Sequence, residues 1–131
     1  MNAIENGVEQ LRRKWPQAHA VPGADGSHLV FLPTFMLAKG YDATVCTAFF
    51  IAPPFFPAVA PVHFFTDIQV RLANGGWPHY TSMNNAWPIE HLWPQWAQCQ
   101  RWHWKVQCWD VNRSSLFTYA MVIRNRLGEA R

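Results

Sequence analysis

Between Gln98 and Asn112 the chain reads QCQRWHWKVQCWDVN, which sets two cysteines, one histidine and two basic side chains among three tryptophans. A cysteine attacks as its thiolate, so nearby positive charge and access to solvent favour its chemistry. Cys99 lies between Gln98 and Gln100, with Arg101 two residues on and Lys105 beyond, a polar and electropositive setting for a reactive thiol. His103, four residues after Cys99, is the candidate to donate an N–H to an oxyanion or to take a proton from an incoming amine. Cys108, directly before Trp109, is the second candidate thiol. Cys99, His103, Cys108 and His91 also admit a zinc reading. The run C-x3-H-x4-C lacks the tight C-x2-C pair of a strong zinc signal, so the site is expected to hold no metal and no cofactor.

Such a site needs a frame, and the composition supplies one. At 131 residues, with 50% apolar and 15% charged side chains, the chain is expected to fold as a single domain over 1–131 with a full core. No apolar run approaches the roughly 20 residues of a membrane span. The opening MNAIENGVEQLRRKW is amphipathic with early acids, unlike a secretory signal, which points to a cytoplasmic setting. Three cysteines are an odd count for a disulfide framework, so the thiols are expected to be reduced. The net charge of +3 is spread rather than clustered, which argues against nucleic acid as a partner.

The positioning elements follow from periodicity. Ile4, Val8, Leu11 and Trp15 form one stripe of a helix over 2–14, ended by Pro16. Pro22, Gly23, Asp25 and Gly26 make 21–27 a turn. The β-forming run 28–37 is broken by Pro33 and reads as an edge strand or a strand with a bulge. A second strand covers 43–52, where Cys46 sits mid-strand as a small buried hydrophobe. Four prolines in 53–61 exclude an ordinary strand and demand a rigid, aromatic-packed crossing. A third strand, 62–66, completes an antiparallel meander. Residues 67–97 carry few regular signals beyond the Asn74-Gly75-Gly76 turn, yet five of the eight tryptophans lie between Trp77 and Trp102. A loop so long in a small domain is a functional or partner surface. Ser114 or Ser115 caps a closing helix lined by Leu116, Ala120, Ile123 and Leu127 and stopped at Gly128. The fold class is α+β, with helices on an antiparallel sheet and a Trp-rich loop carrying the active cysteine.

This order of elements, with these prolines, resembles the ubiquitin-conjugating (E2, or UBC-like) fold. Phe56-Pro57-Ala58-Val59-Ala60-Pro61 ahead of a strand is similar to the tyrosine-proline and paired prolines of eukaryotic E2 proteins. Phe56 stands for the tyrosine, and Ala60 and Pro61 for the paired prolines. Cys99 followed by Trp109 and a helix is similar to the E2 active cysteine, its later tryptophan and the helix beyond. More narrowly, FLPTFMLAKGY, the segment around Arg101-Trp102-His103 and the approach from Trp109 to Leu116 resemble the bacterial E2-like family E.

The resemblance implies a carrier that accepts a ubiquitin-like protein from an E1-type activating enzyme as a thioester on Cys99. His103 would assist transfer to an amine of a target protein. It also implies a setting in bacterial conjugation operons, some of them antiviral. The His-Pro-Asn tripeptide that precedes the cysteine in eukaryotic E2 proteins is absent, leaving Asn84, Asn85 or His91 to take its place. The alternative within the resemblance is a catalytically inactive module that docks the ubiquitin-like protein or the E1 through its tryptophan-rich loop.

Overall fold

The computed structural model describes residues 2–83 and 88–131. It is a mixed α+β fold built on one six-stranded sheet. The strands are β1 (His19–Pro22), β2 (His28–Met36), β3 (Val45–Ala52), β4 (Phe64–Thr66), β5 (Thr81–Ser82) and β6 (Gln100–Trp102), and the helices are α1 (Ala3–Leu11), α2 (Ile89–Leu92) and α3 (Leu116–Leu127). Spatial order is β1-β2-β3-β4-β6-β5, and every pairing is antiparallel.

Alternation along each strand decides what lies on which side. Val30 and Leu32 of β2, with Cys46, Ala48 and Phe50 of β3, Phe64 of β4 and Trp102 of β6, face one layer. That layer is α1 and α3, which contribute Val8 and Leu11 and Leu116, Tyr119, Ala120, Ile123 and Leu127. Leu29 and Phe31 of β2, Phe49 of β3 and Phe65 of β4 face the opposite way, onto Ile89, Trp93 and Cys99. The part of the tryptophan-rich segment from Ile89 to Cys99, with Trp93 and Trp96, is therefore a cover for the second face of the sheet. A strand buried on both faces has no solvent side, and β3 and β4 read as nearly continuous apolar runs for that reason.

Each helix begins as its sequence dictates. Asn2 caps α1 by accepting from the Glu5 amide at 2.8 Å. Ser115 starts α3, where its amide donates to Thr118 Oγ1 at 2.9 Å, and Gly128 ends it. Trp15, just past α1, stacks on Phe35 with ring centroids 5.4 Å apart.

Three expectations change. The segment ahead of the first turn is a strand, β1, that pairs with β2, so β2 is an interior strand and only the bulge reading survives. The register shift lies between Leu32 and Phe35, where Thr34 takes φ 59°; Pro33 donates no ladder hydrogen bond and the chain absorbs the gap there. The stretch expected to be loop carries β5, α2 and a 3-10 turn at Pro94–Trp96. Finally, the cysteine-bearing segment re-enters the sheet as β6 between β4 and β5.

Helices α1 and α3 meet at Gly7, where an added Cβ would lie 2.7 Å from Leu116 Cγ and 3.0 Å from its Cβ. Gly7→Ala would gain up to about 1 kcal/mol of helix propensity but force the two helices apart. The expected net result is a loss of about 1–2 kcal/mol, read from the urea midpoint. A raised midpoint would show that the helices part freely.

Candidate functional site

β6 and the ten residues after it form the site region, and its geometry comes from what each residue is paired with. Gln100 is fully buried, and its side-chain amide clamps Val70, accepting from the Val70 amide at 2.6 Å and donating to its carbonyl at 3.1 Å. Trp102, also buried, stacks on Phe64 at 5.4 Å and donates its indole N–H to Thr66 Oγ1 at 3.1 Å. These two inward residues fix the strand. The intervening odd-numbered residues then face the other side.

Cys99 consequently points into the second core. It is 3% exposed, among Phe49, Phe65, Ile89 and Trp93, and its thiol's hydrogen-bond partner is the Ala97 carbonyl at 3.8 Å. Burial pushes its pKa up to about 11, and the positive charge of Arg101 offsets this only in part. The expected open, electropositive thiol at Cys99 is thus corrected: an exposed Gln98 before it and a strand residue Gln100 after it say nothing about a sulfur that faces the second core. Nor does the fold bring Cys99 to His103, since four residues of extended chain span about 13 Å. Cys46 is buried as expected, its pKa raised to about 12 by burial. Cys108 is exposed.

Trp109 anchors the loop that carries Cys108. Its indole N–H donates to the Pro57 carbonyl at 2.8 Å, and its ring lies 5.7 Å from that of Phe56. Asp110 then builds the turn into α3, accepting from the Asn112 and Ser114 amides at 2.9 and 2.7 Å. The proline crossing and the final loop, distant in sequence, thus touch directly.

His103 does enter a cluster. Its backbone N–H donates to the Tyr80 carbonyl at 2.8 Å, and its Nε2 lies 3.1 Å from Ser82 Oγ. Its ring meets that of His63 edge-on at 5.2 Å. Burial, with Arg101, His103 and Lys105 nearby, lowers the His63 pKa to about 4; burial and Arg101 lower that of His103. Both rings are therefore neutral near pH 7 and act as donor–acceptor groups. A cavity of about 500 Å³ opens here, lined by His63, Tyr80, His103, Lys105, Gln107 and Asn125 among others. His63 also borders a second cavity, of about 340 Å³, against Pro61 and Arg101.

His63, Ser82 and Tyr80 were not singled out by sequence, because nothing in their local spacing marks them. They arrive through pairing: β4 and β6 match Phe64 with Trp102, and one step along that ladder sets His63 opposite His103. Asn84 and Asn85 lie outside the described residues, and His91 sits exposed in α2. Among the described residues no three His, Cys, Asp or Glu side chains are grouped to hold a metal, so Cys99, His103, Cys108 and His91 do not form a zinc set. No helix among them is long and apolar enough to cross a membrane. The chain matches no protein-family model, no curated protein and no solved structure.

Two outcomes follow. In native buffer, iodoacetamide should modify Cys108, with Cys99 and Cys46 reacting only once denaturant is added; mass spectrometry of the peptides reads this directly. Native labelling of Cys99 as fast as Cys108 would place its sulfur at the surface. Second, His63 binds its proton less readily folded, near pH 4, than unfolded, near 6.5. The unfolded chain therefore takes up more protons between those values, and stability held above pH 6.5 should drain away down to about pH 4. His63→Gln should flatten that part of the denaturation-midpoint profile.

Proposed function

We propose that the chain is an E2-like carrier that accepts a ubiquitin-like protein from an E1-type enzyme as a cysteine thioester and passes it to an amine on a target protein. The observation that carries this reading is the brace between Phe56-Pro57 and Trp109. It joins the two segments on which the E2 resemblance rests and leaves one exposed cysteine beside it. Cys108, rather than the sealed Cys99, is the acceptor in this proposal.

The chemistry is two exchanges at one carbonyl. The Cys108 thiolate attacks the thioester carbon held by the E1, an oxyanion forms, and the E1 thiolate leaves. A target amine then attacks the new thioester, loses its proton, and Cys108 departs as thiolate. His103 is neutral and lines the same cavity as Gln107, the residue before Cys108. It serves either as an N–H donor to the oxyanion or as the base for the amine. Three unbridged cysteines fit a reducing, cytoplasmic setting.

A second reading, a docking module without chemistry, is favoured by the burial of Cys99, the cysteine that the resemblance itself selects.

Incubation with a cognate E1-type enzyme, its ubiquitin-like protein and ATP separates the two. The carrier reading expects a reductant-sensitive adduct that survives Cys99→Ala and disappears in Cys108→Ala. A stable complex that never yields such an adduct would leave the docking module standing. Loss of charging in Cys99→Ala alone, with native melting behaviour, would return the acceptor to Cys99.

A further inference from the structure

The cavity at His63 and His103 is built for more than proton traffic. Nine residues line it, and none is acidic: His63, His103 and Lys105 supply positive or donating groups, Gln107 and Asn125 supply amides, and Tyr80, Trp104, Val106 and Val122 supply apolar wall. Lys105 is exposed and takes part in neither ion pair among the described residues, which are Arg113–Asp110 and Arg131–Glu129. His63 Nδ1 is buried without a hydrogen-bond partner in this arrangement. A concave site of this size with several convergent polar groups and apolar walls is the ordinary form of a ligand site.

We propose that this cavity binds the free carboxylate end of a peptide. Among the lining residues Lys105 carries the one formal positive charge, and the two imidazole rings add N–H donors, which together match a monoanion. A phosphate dianion is commonly held by an arginine fork or by the amides at a helix start. Here α3 offers the cavity only Val122 and Asn125, both beyond its first turn. The Gln107 and Asn125 amides can each donate and accept, which suits a peptide bond next to the terminus. Val106, Val122 and the Tyr80 and Trp104 rings receive an aliphatic terminal side chain. Burial first, and the charge of Arg101 second, hold both rings neutral, so they meet a ligand as N–H donors. The site shares only His103 with the transfer chemistry and needs neither an E1 nor a thioester.

The test uses two synthetic probes, N-acetyl-Ala-Ala-Leu with a free carboxylate and the same peptide as its terminal amide. Calorimetric titration should show the acid binding and the amide about tenfold weaker or worse, the ordinary worth of a charge-assisted hydrogen bond. Added salt should weaken the acid alone. Lys105→Gln, an exposed substitution, should reduce binding of the acid towards that of the amide, and nuclear magnetic resonance should place the shifts at the His63 and His103 rings. Equal binding of acid and amide, no binding of either, or acetate competing as well as the peptide overturns the proposal. Binding of the acid to Cys108→Ser at full strength keeps this site distinct from the carrier reading. Thioester charging without peptide binding would sink the site and leave the carrier.

Discussion

A single buried guanidinium holds the end of the chain to the sheet. Arg126, in the last turn of α3, is 1% exposed, yet the oxygens it donates to are a phenol and three main-chain carbonyls. One nitrogen reaches Tyr41 Oη at 2.9 Å and the Glu129 carbonyl at 3.1 Å; the other reaches the His79 carbonyl at 3.1 Å and that of Arg131 at 2.7 Å. The Trp102 and Trp104 rings lie 5.0 and 5.1 Å from its central carbon. Burying a charge is costly unless it is compensated: carbonyl dipoles, the Tyr41 phenol and the indole faces meet the two terminal nitrogens, while Nε is buried without a hydrogen-bond partner. Because the same group touches the Tyr41 loop, the His79 segment and the strand at Trp102, it sets the distance between α3 and the residues following β6. Tyr119 adds a second tie by donating its hydroxyl to the Trp104 carbonyl at 2.8 Å. The wall that Trp104, Val122 and Asn125 form around the histidines is a result of those ties.

The same packing explains why two cysteines in one short segment end in opposite environments. Cys99 precedes β6, whose register is locked by Gln100 and Trp102, and so its side chain is driven into the layer beneath the tryptophan cover. Cys108 follows the point where the chain leaves the sheet and precedes an indole that is tied to Pro57. One sulfur is part of the core and the other is at the surface. Charge in the neighbouring sequence does not choose between them; strand geometry does.

Much of this was legible in the residues, and the limits are physical. Helices α1 and α3 show in the sequence because their apolar stripes run over three turns with caps at the ends, and β2 to β4 because β-branched and aromatic residues run continuously between prolines. Strand β1 is hidden, since His19–Pro22 has few β-forming residues and ends in a proline. Strands β5 and β6 have two and three residues, too few for any period to register. The cluster of His63, Ser82 and His103 depends on which strand lies next to which, and that is a property of the whole sheet. The same lack of long-range information made Cys99 read as open, because Gln98 is an exposed bend residue and Gln100 faces the opposite side of the sheet from the sulfur.

The order of strands has a kinetic consequence. Strands β1 to β4 are neighbours in both sequence and space, so that meander closes through short connections. Strand β6 must return across residues 67–99 to pair with β4, and β5 has its partner only once β6 is in place. Loop closure over such a span is slow compared with forming hairpins. Assembly of the histidine cluster therefore needs one long closure that the meander of β1 to β4 does not, and His63 stands at the edge of that meander without its partner until β6 has docked.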